Sequence, residues 1–167
     1  MGVAAQLLQA TTKLQRLWTE ANLVHRTRGP AEGKKVYKRL VEHNRKNVEG
    51  WYMLGLAEAE DGNRIQSLKD TGRALKLSPD HAESLNNNGV MLTQLKRYEE
   101  AREQYQKVVD AFPLHVHAAS NLAATLKYLG RTEESTAAKA IAKKTEKTLR
   151  SAALGGRREM PRGVERG

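Results

Sequence analysis

The chain has 167 residues, of which 39% are hydrophobic and 29% charged, with a formal net charge of +10 and no cysteine. That length suits one compact domain or one short solenoid with tails, and the absence of cysteine excludes disulfides, zinc–thiolate sites and thiol catalysis. The longest apolar runs span a few residues, far below the ~18 that a membrane helix needs.

The first predicted helix runs from 3 to about 26, where Leu7, Leu8, Leu14, Leu17, Ala21 and Val24 recur at helical spacing. The stretch carries Lys13, Arg16, Arg26 and Arg28 against Glu20, faintly like an organellar transit peptide, but its periodic residues assign it to the fold. It lacks the basic-then-apolar order of a secretory signal, and Gln6 stands where N-myristoylation needs Ser or Thr. Arg28, Gly29 and Pro30 break it, and Pro30 suits the first turn of a second helix reaching about 42. Helices then alternate over 48–60, 64–77, 82–95, 98–111 and 116–129. Asp61-Gly62-Asn63 and Lys96-Arg97 mark tight turns, and Ser78-Pro79-Asp80 and Phe112-Pro113 mark stops where proline cannot continue a helix. The last helix starts near Thr132 and runs to about 154, where Gly155-Gly156 ends it. Glu133 and Glu134 favour its positive end.

These helices keep a register of 34 residues. Ala21, Gly55, Gly89 and Ala123 form a column of small residues, and Gly33, Ser67, Ala101 and Ser135 form a second. Leu17, Trp51, Leu85 and Ala119 form an apolar column, as do Leu40, Ala74, Val108 and Ala142. Tyr37 and Tyr105 share a column with Thr71 and Lys139, and Pro79 and Pro113 close successive units. Small residues at a fixed period let helix pairs approach closely and stack, the signature of a solenoid.

Trp51, Leu54, Gly55, Ala74 and Pro79, followed by Leu85, Gly89, Leu92, Tyr98, Ala101, Tyr105 and Pro113, resemble the tetratricopeptide repeat pattern. Leu122, Ala123, Leu126, Gly130 and Ser135 continue it, and the resemblance covers about 14–144. Glu58 stands where the pattern has Tyr, Thr71 where it has Phe, Asn88 where it has Leu, and Arg45 where it has Pro. Glu58 and Thr71 read first as a polar seam tolerated in one repeat; the sharper alternative is that Glu58 faces a partner. The resemblance implies an all-α, right-handed helical-hairpin solenoid of three to four repeats with a long C-terminal capping helix. The expected organisation is a basic degenerate helix pair over 1–47, repeats over 48–81 and 82–115, a repeat with its capping helix over 116–154, and a basic Arg/Gly-rich tail over 155–167.

In this family the first helix of each unit lines a concave groove. Carried over, Trp18, Asn22, Tyr52, Leu56, Asn86, Asn87, Val90, Ser120, Asn121 and Ala124 would face inward, with Asn87 and Asn121 offering amides to a peptide backbone. Some members grip a C-terminal carboxylate with Lys and Arg. The matching positions are Tyr52, Leu56, Asn87, His117 and Asn121, none of them cationic, which argues against a chaperone-tail receptor.

No catalytic constellation, phosphate loop or cofactor motif is legible, so an enzyme is not expected. His115-x-His117 lies at a helix entry without further ligands and reads as turn histidines rather than a metal site. The charge, however, is uneven. Residues 1–47 hold ten Lys/Arg against three Asp/Glu, net +7; residues 48–138 hold ten against thirteen, net −3; residues 139–167 hold nine against three, net +6. The basic clusters are Lys34, Lys35, Lys38 and Arg39, then Lys143, Lys144, Lys147 and Arg150, then Arg157, Arg158 and Arg162, each a candidate polyanion contact with surface solubility as the plain alternative. Aromatic interleaving is too sparse for reading single-stranded RNA by stacking.

The expectation is a non-enzymatic scaffold with protein partners and a contact to RNA or another anionic surface, an accessory or structural subunit of a large ribosome-like or organellar complex. It would be intracellular, in the cytoplasm or an organellar matrix such as the mitochondrial one. The alternative is a free-standing adaptor that binds a short peptide without touching nucleic acid. Docking on a membrane surface through 139–154 would need a wider apolar face than Ile141, Leu149 and alanines provide.

Overall fold

A computed structural model describes residues 3–155, with side chains from 12 to 153. The tail cluster Arg157, Arg158 and Arg162 therefore lies outside the described residues. The described chain is all helical: α1 (Val3–Arg28), α2 (Pro30–His43), α3 (Val48–Glu60), α4 (Arg64–Leu77), α5 (Ala82–Gln94), α6 (Tyr98–Ala111), α7 (Val116–Tyr128) and α8 (Thr132–Gly155). Each helix packs on its neighbours in the chain, giving four stacked hairpins. Beyond these neighbours, α3 touches α5 and α5 touches α7, and among the described residues the even-numbered helices meet one another at most weakly. The array therefore curves toward its odd-numbered helices, which form the concave face.

The small column does close the hairpins. A Cβ on Gly55 would lie 2.5 Å from Thr71 Cγ2, and one on Gly89 would lie 2.5 Å from Tyr105 Cε1. Ala21 and Ala123 are buried as well, and the carbonyl of Ala123 accepts from Ser135 Oγ at 2.7 Å. Tight turns recur in the same register: Gly62, Lys96 and Gly130 all take positive φ, at 84°, 59° and 73°. Lys96 is the non-glycine residue of the three and bears the steric penalty of that region.

The inter-repeat turns are capped alike. Asn47 Oδ1 accepts from Gly50 N at 2.8 Å, His81 Nδ1 from Ser84 N at 3.3 Å, and His115 Nδ1 from Ala118 N at 3.1 Å. These three caps are 34 residues apart, and each satisfies a backbone N–H that the helix start leaves open. Arg45 replaces a helix-stopping proline, and its carbonyl accepts from Trp51 Nε1 at 2.9 Å.

The apolar core falls into three blocks. Leu17, Tyr37, Leu40, Val41 and Leu54 form one between α1, α2 and α3, Leu92, Tyr105, Leu122 and Leu126 form another between α5, α6, α7 and α8, and Ala82, Leu85, Val108 and Ala118, with Leu75 packed on them, form a third between α4, α5, α6 and α7. Alongside these blocks α3, α4 and α5 also meet through polar groups. Glu58 is 4% exposed, and its carboxylate accepts from Lys34 Nζ at 3.1 Å and Asn63 Nδ2 at 2.9 Å. Thr71 hydroxyl donates to Ser67 carbonyl at 2.7 Å and contacts Asn88 Oδ1. Asn87 Nδ2 donates to Ser67 Oγ at 3.1 Å. Among the described residues no buried side-chain polar atom is left without a partner, which is how such a seam is tolerated. Glu58 faces the interior, as the polar-seam reading requires, and not a partner.

Candidate partner-binding face

The face that carries the expected groove residues is built from α1, α3, α5 and α7. Trp18, Asn22, Tyr52, Leu56, Asn86, Val90 and Asn121 are half-buried, Ser120 and Ala124 are exposed, and Asn87 is buried. Their amides do not form a uniform ladder. Asn22 donates to Trp18 carbonyl at 2.9 Å and accepts from Tyr37 hydroxyl at 3.0 Å, so its amide serves the first hairpin. Asn87 directs its N–H to Ser67 within the seam. Asn121 Nδ2 donates to Asn86 Oδ1 at 3.3 Å, joining α7 to α5 across the concave face. Asn87 and Asn121 share a column but make different side-chain hydrogen bonds.

Carboxylates of α3 and α5 place negative charge near Tyr52. Its ring packs on His81, centroids 5.5 Å apart. Its phenol is held above its ordinary range by burial and by the negative charge of Glu49, Glu83 and Glu60. Buried Tyr37, one layer below, is pushed up to about 12 by burial, with Glu60 and Glu49 adding to it. His81 Nε2 lies 3.3 Å from Glu49, and because its Nδ1 caps α5, the ring is the tautomer that donates from Nε2. His25 Nε2 likewise meets Glu60 at 2.6 Å. The three carboxylates keep roughly half of their side-chain surface in solvent.

Beside this patch runs an open groove of about 700 Å³ between the α4–α5 and α6–α7 turns. Phe112 and Leu114 on its wall are 40% and 61% exposed, and His81, Glu83 and Ala82 on the other side connect it to the acidic patch. Sequence reasoning missed both features. Glu49 and Glu83 stand 34 residues apart, so the repeat register did contain the acidic column.

The basic clusters divide in two. Lys34 is drawn inward between Glu58 and Asp61, which hold its ammonium above its ordinary range against the penalty of burial. Its charge is thus already matched within the fold. Lys35 pairs with Glu32 and Arg39 with Glu20, leaving Lys38 exposed between them. On α8, Lys143, Lys144, Lys147 and Arg150 are exposed, and no ion pair to a described residue neutralises them. His115 and His117 stand ring to ring at 6.4 Å with His115 acting as a helix cap. Among the described residues no group of three or more His, Asp or Glu could hold a metal, and no helix is long and apolar enough to cross a membrane.

Residues 66–116 match the family model described as tetratricopeptide repeat. A crystal structure of MamA superposes with a TM-score of 0.79 at 18% identity, covering 88% of this chain and 86% of that one. MamA 41-end from Desulfovibrio magneticus RS-1 superposes at 0.74 and 23% identity, covering 80% and 75%. The first TPR of Spaghetti (RPAP3), bound to the HSP90 peptide SRMEEVD, superposes at 0.68 and 18% identity, covering 71% and 94%. Human protein O-mannosyl-transferase TMTC3 is 29% identical over 97 residues, which are 56% of this chain and 11% of that protein. The chain thus spans about a tenth of that relative, whose name speaks for the whole enzyme. Residues 66–116 are tetratricopeptide repeat sequence, and the chain that carries them has the stacked-hairpin fold of tetratricopeptide repeat proteins, scaffolds for contact between proteins.

Proposed function

We propose that this chain is a non-enzymatic scaffold that holds a protein segment on its concave face and meets an anionic surface through α8. It would serve as an accessory or structural subunit of a large ribosome-like or organellar assembly. The observation that carries the reading is the segregation of charge. Lys143, Lys144, Lys147 and Arg150 stand exposed on the terminal helix, whereas the concave face around Tyr52 is lined by carboxylates. Cations without internal partners can displace the counterions of a phosphate backbone, which makes such contact steeply salt-dependent.

Binding of structured RNA across a salt series tests this. The parent should lose affinity steeply as salt rises, and the triple variant K143E/K144E/K147E should flatten the slope by about one for each phosphate contact removed. If no RNA is retained at low salt, the second reading stands: a free-standing adaptor for a peptide. That reading draws on the internal pairing of Lys34 and on the RPAP3 repeat, whose structure holds a peptide.

A further inference from the structure

We infer that the concave face and the adjoining turn groove form one docking surface for a cationic peptide segment that carries an apolar anchor. This rests on the reading that the concave face holds a protein segment, and it fixes the chemistry of that segment. Two independent features meet at His81 and Glu83. On one side Glu49 and Glu83 lie 3.3 and 3.7 Å from His81 Nε2, whose ring packs on Tyr52, and the ten groove positions named above include no Lys or Arg. On the other side the 700 Å³ groove exposes Phe112 and Leu114 next to Pro113 and Ala111.

The charges define the polarity of the occupant. Carboxylates half in solvent attract Lys or Arg. His25 also contacts Glu60 and His81 contacts Glu49, each through Nε2. An acidic segment such as SRMEEVD, the peptide on the RPAP3 repeat, would meet repulsion here. Exposed Phe112 and Leu114 define the anchor, because a Leu, Ile or Met side chain entering that groove covers apolar surface that is otherwise wet. A basic stretch followed within a few residues by one apolar side chain can satisfy both halves together.

A random dodecapeptide library displayed on phage and sorted against the full chain tests the inference. The chosen peptides are then synthesised and titrated by fluorescence anisotropy against the parent, E49Q/E83Q and L114S. The substituted side chains are all exposed, so folding is checked by unchanged far-UV circular dichroism. Expected are net-positive peptides with an apolar residue. E49Q/E83Q should weaken them at least tenfold and flatten their salt dependence, and L114S should weaken them while leaving the salt slope intact. Peptides that are acidic or neutral, or cationic peptides that bind E49Q/E83Q as tightly as the parent, overturn the inference and leave a protein-binding concave face standing. A sort that enriches nothing overturns both.

Discussion

Replacing Gly89 with alanine tests the close approach that defines each hairpin. The new Cβ would lie 2.5, 2.6 and 2.8 Å from Tyr105 Cε1, Cζ and Cδ1, where carbon atoms prefer about 3.5–4.0 Å. The ring must retreat by roughly 1 Å on that scale, and it has little room. Tyr105 is buried in the cluster with Leu92, Leu122 and Leu126. Overpacking of this kind costs about 2–3 kcal/mol. Alanine recovers about 1 kcal/mol through its helix propensity, for a net loss of about 1–2 kcal/mol. Gly72 is the control. It lies inside α4 with nothing within 4 Å of its Cβ position, so Gly72→Ala should stabilise by about 0.5–1 kcal/mol. The two variants should separate by about 1.5–3 kcal/mol in urea unfolding, shifting midpoints in opposite directions at equal slope. Pairing Gly89→Ala with Tyr105→Leu should relieve the clash, giving a positive coupling in the double-mutant cycle. A gain from Gly89→Ala equal to that from Gly72→Ala would refute the wedge, and with it the reason for the 34-residue period.

Other perturbations probe the polar seam, a turn and a cleft. Lys34→Met strands the Glu58 carboxylate and should destabilise by about 3 kcal/mol, while adding Glu58→Leu should return stability to within about 1 kcal/mol of the parent; thermal melts of the three proteins read both effects. Lys96→Gly relaxes a positive φ and should stabilise by about 0.5–1 kcal/mol, measured as a raised urea midpoint. Asp70 is buried, and burial raises its carboxyl above the ordinary range despite the opposing pull of Gln66 and Arg73. The fold therefore binds that proton more tightly than the unfolded chain does. The resulting stability is complete below about pH 4 and is lost as pH rises through the folded value. Asp70→Asn should match the parent in acid and exceed its Tm at neutral pH; a lower Tm at neutral pH would contradict the sign. Ala119 replaces the Leu or Trp of its column and borders a 240 Å³ cleft with Val109, Leu122 and Ile141. Ala119→Leu should fill it and stabilise by about 1–2 kcal/mol, seen as a higher urea midpoint.

The helices were legible because period, proline and glycine agree at nearly every boundary. Small errors arose where a cap looks like helix: Leu95 and Leu129 are C-cap residues just before a left-handed turn, so α5 and α7 stop one residue earlier than expected. The groove was legible as a set of positions and not as a set of partners. Asn87 and Asn121 share a column, yet Asn87 is captured by the hydroxyl of Ser67, twenty residues earlier. The residue twenty before Asn121 is Ala101, which has no hydroxyl, and Asn121 turns to Asn86 instead. Lys34 looked like part of a basic surface because its neighbours in sequence are cations. Its neighbours in space are Glu58 and Asp61, from the next hairpin. In a solenoid each side chain is surrounded by residues about one repeat away, so a local window misreads charge where a register-aligned one does not.

That geometry also bears on the net charge. A value of +10 describes the far field and favours anionic surfaces at long range. Screening limits that influence to roughly 8–10 Å, a distance within which a groove responds to its own lining. Beside Tyr52 that lining includes Glu49 and Glu83, 3.3 and 3.7 Å from His81 Nε2, while the cation Lys34 is neutralised by Glu58 and Asp61. A segment of one sign of charge complements either the groove or the exposed cations of α8. On the proposed reading, the two places would therefore take partners of opposite charge.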